Sequence, residues 1–184
     1  MKSEYSSIEV RIIGTLIEKQ ITTPEYYPLT LNSLTIACNQ KSNRHPVMNL
    51  SEQEVEDTCS GLQRKRLVQK IYLSNSRVAR YQHIFDEAFH FGIEEKVILC
   101  ELFIRGAQTI GELKTHTARM YQFKNLDRVR VVLNELADHP EGPYVVMLTR
   151  KTGQKENRYM HLFCGMPETG ELEDKPVSTL HNTQ

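Results

Sequence analysis

Apolar residues recur at helical spacing from the start of the chain. Ile8, Ile12 and Leu16, with their neighbours Ile13 and Ile17, fall on one face of a segment that opens at Ser6. Ser6-x-x-Glu9 fits a capping box, in which hydroxyl and carboxylate each satisfy the other's backbone N–H. This helix is predicted to end near Gln20, and the two prolines within 23–28 make that stretch a loop. A short helix fits 31–38, capped by Thr30, with Leu31, Leu34 and Cys38 inward. The polar stretch 39–50, with Pro46, reads as a loop. Ser51-x-x-Glu54 opens a third helix that carries Val55, Cys59 and Leu62 on one face. Runs at 67–73 and 77–81, around Asn75-Ser76, predict a hairpin.

The second half repeats this order. Val97, Ile98, Leu99, Leu102 and Phe103 mark a helix ending at Gly106, and Thr109-x-x-Glu112 opens a short helix with Ile110 and Leu113. Asn125 caps a third helix bearing Leu126, Val129, Leu133 and Leu136. Extended runs at 144–149 and 158–163 flank the turn-rich stretch 151–157. Leu16 aligns with Leu102 and Leu62 with Leu136, so the chain reads as two copies of one unit: helix, helix, helix, hairpin. The fold class expected is α+β, mostly helical, as tandem winged-helix domains over 1–90 and 91–165. The acidic tail 166–184 reads as disordered. Units this small bury only a little over ~60% of their unfolded surface. They are therefore expected to pack on each other or on a second chain. Leu16, Leu34, Leu62, Leu102, Leu113, Leu133 and Leu136 are the expected core.

Composition narrows the function. Among 184 residues, 23 Lys+Arg balance 23 Asp+Glu, which argues against a polybasic nucleic-acid binder but leaves room for a local basic patch. No apolar run approaches the roughly 18 residues of a membrane span, and the N-terminus lacks a secretory apolar core, so a cytoplasmic protein is expected. The four cysteines form no CxxC pair, and His161-x-x-Cys164 is an isolated His/Cys pair, so neither a disulfide framework nor a metal site is indicated. No phosphate loop, dinucleotide fingerprint or metalloprotease motif occurs. The chain is expected to be no enzyme and to need no cofactor.

Basic residues cluster more than acids do. Arg64, Lys65, Arg66, Lys70, Arg77 and Arg80 span the end of the third helix and the first hairpin, and Arg150, Lys151, Lys155 and Arg158 occupy the second. Such hairpins suit contact with phosphates; the same charges also protect edge strands from pairing. The first third helix opens with Glu52, Glu54, Glu56 and Asp57, which repel DNA. The second offers Arg128 and Arg130. The loop NQKSNR brings Lys41 and Arg44, and a similar loop brings Arg119. Their amide and cationic groups suit base edges or phosphate, and they equally suit tying the loop down internally.

The stretches at 18–56, 102–113, 118–123 (ARMYQF) and 158–163 (RYMHLF) resemble the bacterial YceH family of uncharacterised proteins. That resemblance covers almost the whole chain. It implies a tandem pair of winged-helix domains and a homodimer, and no established activity. Its most recognisable positions, matched here by Asn39, Gln40, Lys41, Asn43, Arg44, Arg105, Gly106, Gln108, Arg119 and Arg158, carry no assigned role. Two functions remain in view. One is a DNA-binding regulator contacting duplex through Lys41, Arg44, Arg77, Arg80, Arg119, Arg128, Arg130, Arg150, Lys151, Lys155 and Arg158. The other is a protein-interaction module that uses the same units as a scaffold.

Overall fold

The computed structural model describes residues 5–150 and 152–166. Helix α1 (Ser7–Thr22) is followed by a two-residue strand β1 (Leu29–Thr30), α2 (Leu31–Cys38), α3 (Glu52–Arg64) and the hairpin β2 (Val68–Tyr72) and β3 (Ala79–His83). A short helix α4 (Phe85–Phe89) leads into the second copy: α5 (Ile93–Arg105), β4 (Gln108–Thr109), α6 (Ile110–Thr117), α7 (Leu126–Ala137), β5 (Val145–Met147) and β6 (Arg158–His161). The result is a mixed α+β protein with seven α-helices and two small antiparallel sheets among the described residues. No helix there is long and apolar enough to cross a membrane. The acidic tail beyond Met166 lies outside the described residues.

Local chemistry sets the helix starts. Ser6/Glu9, Ser51/Glu54 and Thr109/Glu112 all form reciprocal capping boxes, and Thr30 and Asn125 accept the N–H of Ser33 and Arg128. Gly106, at φ 73°, closes α5, and Asn75, at φ 63°, turns the first hairpin, a conformation that Asn tolerates better than most residues. The core leucines expected from periodicity are all fully enclosed. Helix α1 runs one turn-fraction past Gln20, to Thr22, because the hydroxyls of Thr22 and Thr23 bond back to the carbonyls of Glu18 and Lys19.

The two sheets have the same strand order, β1-β3-β2 and β4-β6-β5. Their registers correspond as well: Thr30 faces Arg80 and Leu29 faces Tyr81, while Thr109 faces Arg158 and Gln108 faces Tyr159. Val68 and Val145 then face His83 and His161. The central strands thus read Arg-Tyr-Gln-His and Arg-Tyr-Met-His, a repeat absent from the helical periodicity. The two-residue strands β1 and β4 and helix α4 go beyond the sequence expectation. A pair of residues carries no period, and Phe85, Phe89 and Phe91 are placed by an aromatic cluster that also holds Phe163 and Tyr144.

The two copies share one continuous core, joined where α1 crosses α5. Residues that correspond in the repeat meet at the crossing: the Cys100 thiol lies 3.2 Å from the Gly14 carbonyl. Self-matching of this kind is the property of a two-fold interface, here built within one chain. A Cβ on Gly14 would lie 2.8 Å from both Ile104 Cγ2 and Phe103 Cβ. Gly14→Ala should therefore destabilise the fold, because overpacking of about 1–3 kcal/mol exceeds the ~1 kcal/mol gained in helix propensity. Equilibrium denaturation of the variant checks this.

His83 and His161 are both buried, and burial pushes each imidazole down to about 4. Between the ordinary histidine value and that figure the unfolded chain binds more protons than the folded one. Stability should therefore be greatest above about pH 6.5 and fall on acidification towards pH 4, by up to about 3 kcal/mol per histidine. Chemical denaturation across that range should show the slope, and His161→Leu should remove about half of it.

Candidate functional site

The loop 39–50 lies against the α1–α5 crossing, and its cations go in opposite directions. Lys41 is exposed, whereas the Arg44 side chain is fully enclosed. Arg44 donates to the Ala37 carbonyl at 3.1 Å, to its neighbour's carbonyl, and with two nitrogens to the buried carboxylate of Glu18. Arg119, brought in from the second copy, bonds the same Glu18 carboxylate and also Glu101 on α5. Arg105 stands 3.0 Å from the other Glu101 oxygen and bonds the Asn43 side chain. Arg11 donates to the carbonyls of Cys38, Pro46 and Ile104. Two of these, Cys38 and Ile104, are at helix C-termini, where the backbone favours a cation. Asn39 exchanges two 2.8 Å hydrogen bonds with Leu50, closing the loop at its base.

The outcome is a lattice of four guanidinium groups and two carboxylates in which Arg11, Arg44, Glu18 and Glu101 are buried and Arg105 and Arg119 close it from the partly exposed side. Burial alone would raise the Glu18 carboxyl. The bidentate bond from Arg44 and the charges of Arg44, Arg119 and Lys19 outweigh it and hold Glu18 below the usual carboxylate range. Of the cations expected at a nucleic-acid surface, Arg44 is therefore enclosed and Arg119 is committed to Glu18 and Glu101. A polar loop reads the same whether its arginine faces out or in; the signal that separates them is Glu18, an acid at the end of the buried stretch 10–18 of α1.

Of the other expected cations that the structure describes, Arg80 is half-buried and the rest stay at least partly exposed. Arg128 is held by Glu94, with Nε at 2.9 Å, and Arg130 pairs with Asp127 one turn earlier. Arg80 donates to the Pro28 carbonyl at 2.8 Å, and Lys70 lies 3.4 Å from Glu56. Among the described residues Arg77, Lys155 and Arg158 have no acidic partner, and Arg150 donates to the Lys155 carbonyl. Lys151 lies outside the described residues. The fold thus brings Arg150, Lys155 and Arg158 together on the second hairpin and Arg77 and Arg80 on the first.

Removing one member of a buried charge pair leaves the other unpaired in a poorly solvated site, which typically costs about 3–5 kcal/mol. Arg44→Met should incur that loss and open the 39–50 loop to proteolysis. Lys41→Ala, four-square in solvent, should change stability by less than about 0.5 kcal/mol. Denaturation and limited proteolysis of the two variants test the separation.

Comparison with known proteins gives a family and no activity. The profile described as "Protein of unknown function, DUF480" matches residues 5–154. A UPF0502 protein of Vibrio cholerae is 51% identical over 170 residues, covering 90% of this chain and 78% of the relative. One from Vibrio campbellii is 50% identical over 177 residues, covering 94% and 81%. One from Vibrio parahaemolyticus is 51% identical over 170 residues, with coverage of 90% and 78%. The chain belongs to the DUF480/UPF0502 family of uncharacterised proteins.

Proposed function

We propose that this is a tandem winged-helix protein, of the kind its YceH resemblance implies, that binds the sugar–phosphate backbone of duplex DNA through its two hairpins. One observation carries the reading. In a chain with no net charge, the hairpin segments 67–83 and 144–163 hold Lys70, Arg77, Arg80, Arg150, Lys151, Lys155 and Arg158 against the single acid Glu156. Charge of one sign is concentrated in these two segments of the sequence, as phosphate contact requires. The order helix, helix, helix, hairpin, repeated with the same strand order, supports it by analogy with winged helices.

The third helices contribute little to this contact. Glu52, Glu54 and Glu56 line the start of α3, and on α7 the charges of Arg128 and Arg130 are met by Glu94 and Asp127. Binding is therefore mainly to phosphate and tolerant of sequence, with any preference resting on Arg128 and Arg130. A cytoplasmic, non-catalytic homodimer completes the reading. A protein-interaction role has one observation in its favour: a groove of about 400 Å³ beside α7, walled by Ile110, Leu126, Met147 and Tyr159.

Each phosphate neutralised adds about 0.9 to the slope of log affinity against log salt. Arg150→Ala with Lys155→Ala should lower that slope by about two per chain and weaken unrelated duplexes equally. A salt titration of wild type and double variant is the test. Absence of duplex affinity in low salt would remove the DNA reading and leave the groove beside α7 as the better guide.

A further inference from the structure

A polar cleft of about 280 Å³ opens between the two copies. One wall is the 43–45 loop of the first copy; the other is formed by the end of α5, β4, α6 and β6. The cleft exists because the repeat is broken there. In the first copy Arg80 uses its guanidinium on the Pro28 carbonyl. Its counterpart Arg158 holds the same register, opposite Thr109, but meets no acceptor among the described residues. Where the first copy has the buried apolar Leu29 and Ala37, the second has Gln108 and His116.

Those two residues are fixed by each other. The Gln108 amide nitrogen donates to the Glu101 carbonyl at 3.2 Å and to the Gly106 carbonyl at 3.4 Å, so its oxygen is the acceptor in the 2.6 Å contact with His116 Nδ1. Nδ1 therefore carries a proton, which leaves Nε2 as the free edge of the ring. Asn43 is oriented in the same way: its oxygen accepts from Arg105, leaving its amide N–H groups to donate elsewhere. Arg105 donates one terminal nitrogen to Asn43, pairs in charge with Glu101 at 3.0 Å through Nε without a hydrogen bond, and retains its other terminal nitrogen.

We propose that this cleft binds a small phosphate-bearing molecule, with its phosphate seated among Arg158, Arg105, Asn43 and His116. Arg105 and Arg158 on one wall and Asn43 on the other supply donors, joined by His116 Nε2 once the ring is protonated, and donors from two opposed walls suit a tetrahedral oxyanion with several acceptor oxygens better than a planar carboxylate. Glu112 also lines the cleft, and its carboxylate opposes an anion, but it is tied to the Thr109 N–H at 2.7 Å as part of the α6 cap. Behind the wall, the guanidinium groups of Arg11, Arg44, Arg105 and Arg119 outnumber the carboxylates of Glu18 and Glu101, so the surroundings stay positive. Because the walls belong to different copies, an occupant would bridge them. The site does not depend on DNA binding, although Arg158 also borders the hollow beside Lys155.

His116 reports on occupancy. Burial and then the charges of Arg105 and Arg119 lower its pKa, against the opposing pull of Glu101 and Glu112. An anion beside Nε2 stabilises the imidazolium and must raise it. The experiment follows the histidine ring signals of the full chain by NMR during titration with inorganic phosphate, with chloride holding ionic strength constant. The expected result is a saturable shift at His116 and a rise in its pKa of about one unit. Arg158→Gln, and Asn43→Ala on the opposite wall, should each weaken the phosphate by about tenfold or more. Arg80→Gln and the Arg150→Ala, Lys155→Ala double variant should bind it as wild type does. No saturable response, an unmoved His116, or wild-type affinity in Arg158→Gln would overturn the proposal. So would a response to a short duplex but none to free phosphate, which would assign the cleft to a nucleic-acid backbone. Phosphate binding in a chain without duplex affinity would leave this inference standing and remove the DNA reading alone.

Discussion

The crossing of α1 over α5 is the constraint on which the remaining structure depends. Two helices approach closely enough that Gly14 has no room for a methyl group, and equivalent residues of the two copies touch. A close crossing of this kind buries everything around it, including the polar side chains the helices carry. Arg11, Glu18 and Glu101 are consequently enclosed. Such groups are tolerated only when paired, and the pairing draws Arg44 in from the loop and Arg119 across from the other copy. The loop 39–50 owes its course to that demand.

This places the protein between two simple pictures. It is a tandem repeat by element order and sheet register, yet it has one core and one charge lattice spanning both copies. Tyr5, ahead of the first helix, donates its N–H to Phe163 at the far end of the second copy, which ties the ends of the described chain together. The copies have also diverged where they meet. The Arg80 position is absorbed into structure in the first, while Arg158 faces the cleft in the second. Such local asymmetry within a structural repeat leaves Arg158 facing the cleft at the junction while Arg80 is held by Pro28.

Much of the fold was legible because its signals are local. A capping box needs four residues: those expected at Ser6 and Ser51 formed, and Thr109-x-x-Glu112, expected only to open a helix, formed a third. Helical periodicity placed the core leucines correctly because each face is set by a few turns. The repeat was visible in apolar spacing, and the match of Arg80-Tyr-Gln-His83 with Arg158-Tyr-Met-His161 lies in the sequence as well, in central strands that helical spacing does not register. What could not be read was the direction of each cation. Lys41 and Arg44 share a polar loop, and nothing within it distinguishes them. Their separation is decided by Glu18, distant in sequence, and the cleft formed by Asn43, Arg105 and Arg158 likewise draws on three separate elements. Such convergence is a property of tertiary packing alone.

If the crossing and its charge lattice bind the two copies into one body, the copies cannot unfold independently. Native-state hydrogen exchange in increasing denaturant reads this directly, by comparing amides in the middle of α3 with those in the middle of α7. A shared core predicts one opening free energy for both helices, converging on the global value. Opening energies that differ by more than about 2 kcal/mol, with one helix exchanging through a separate unfolding event, would contradict it and show two domains that merely touch.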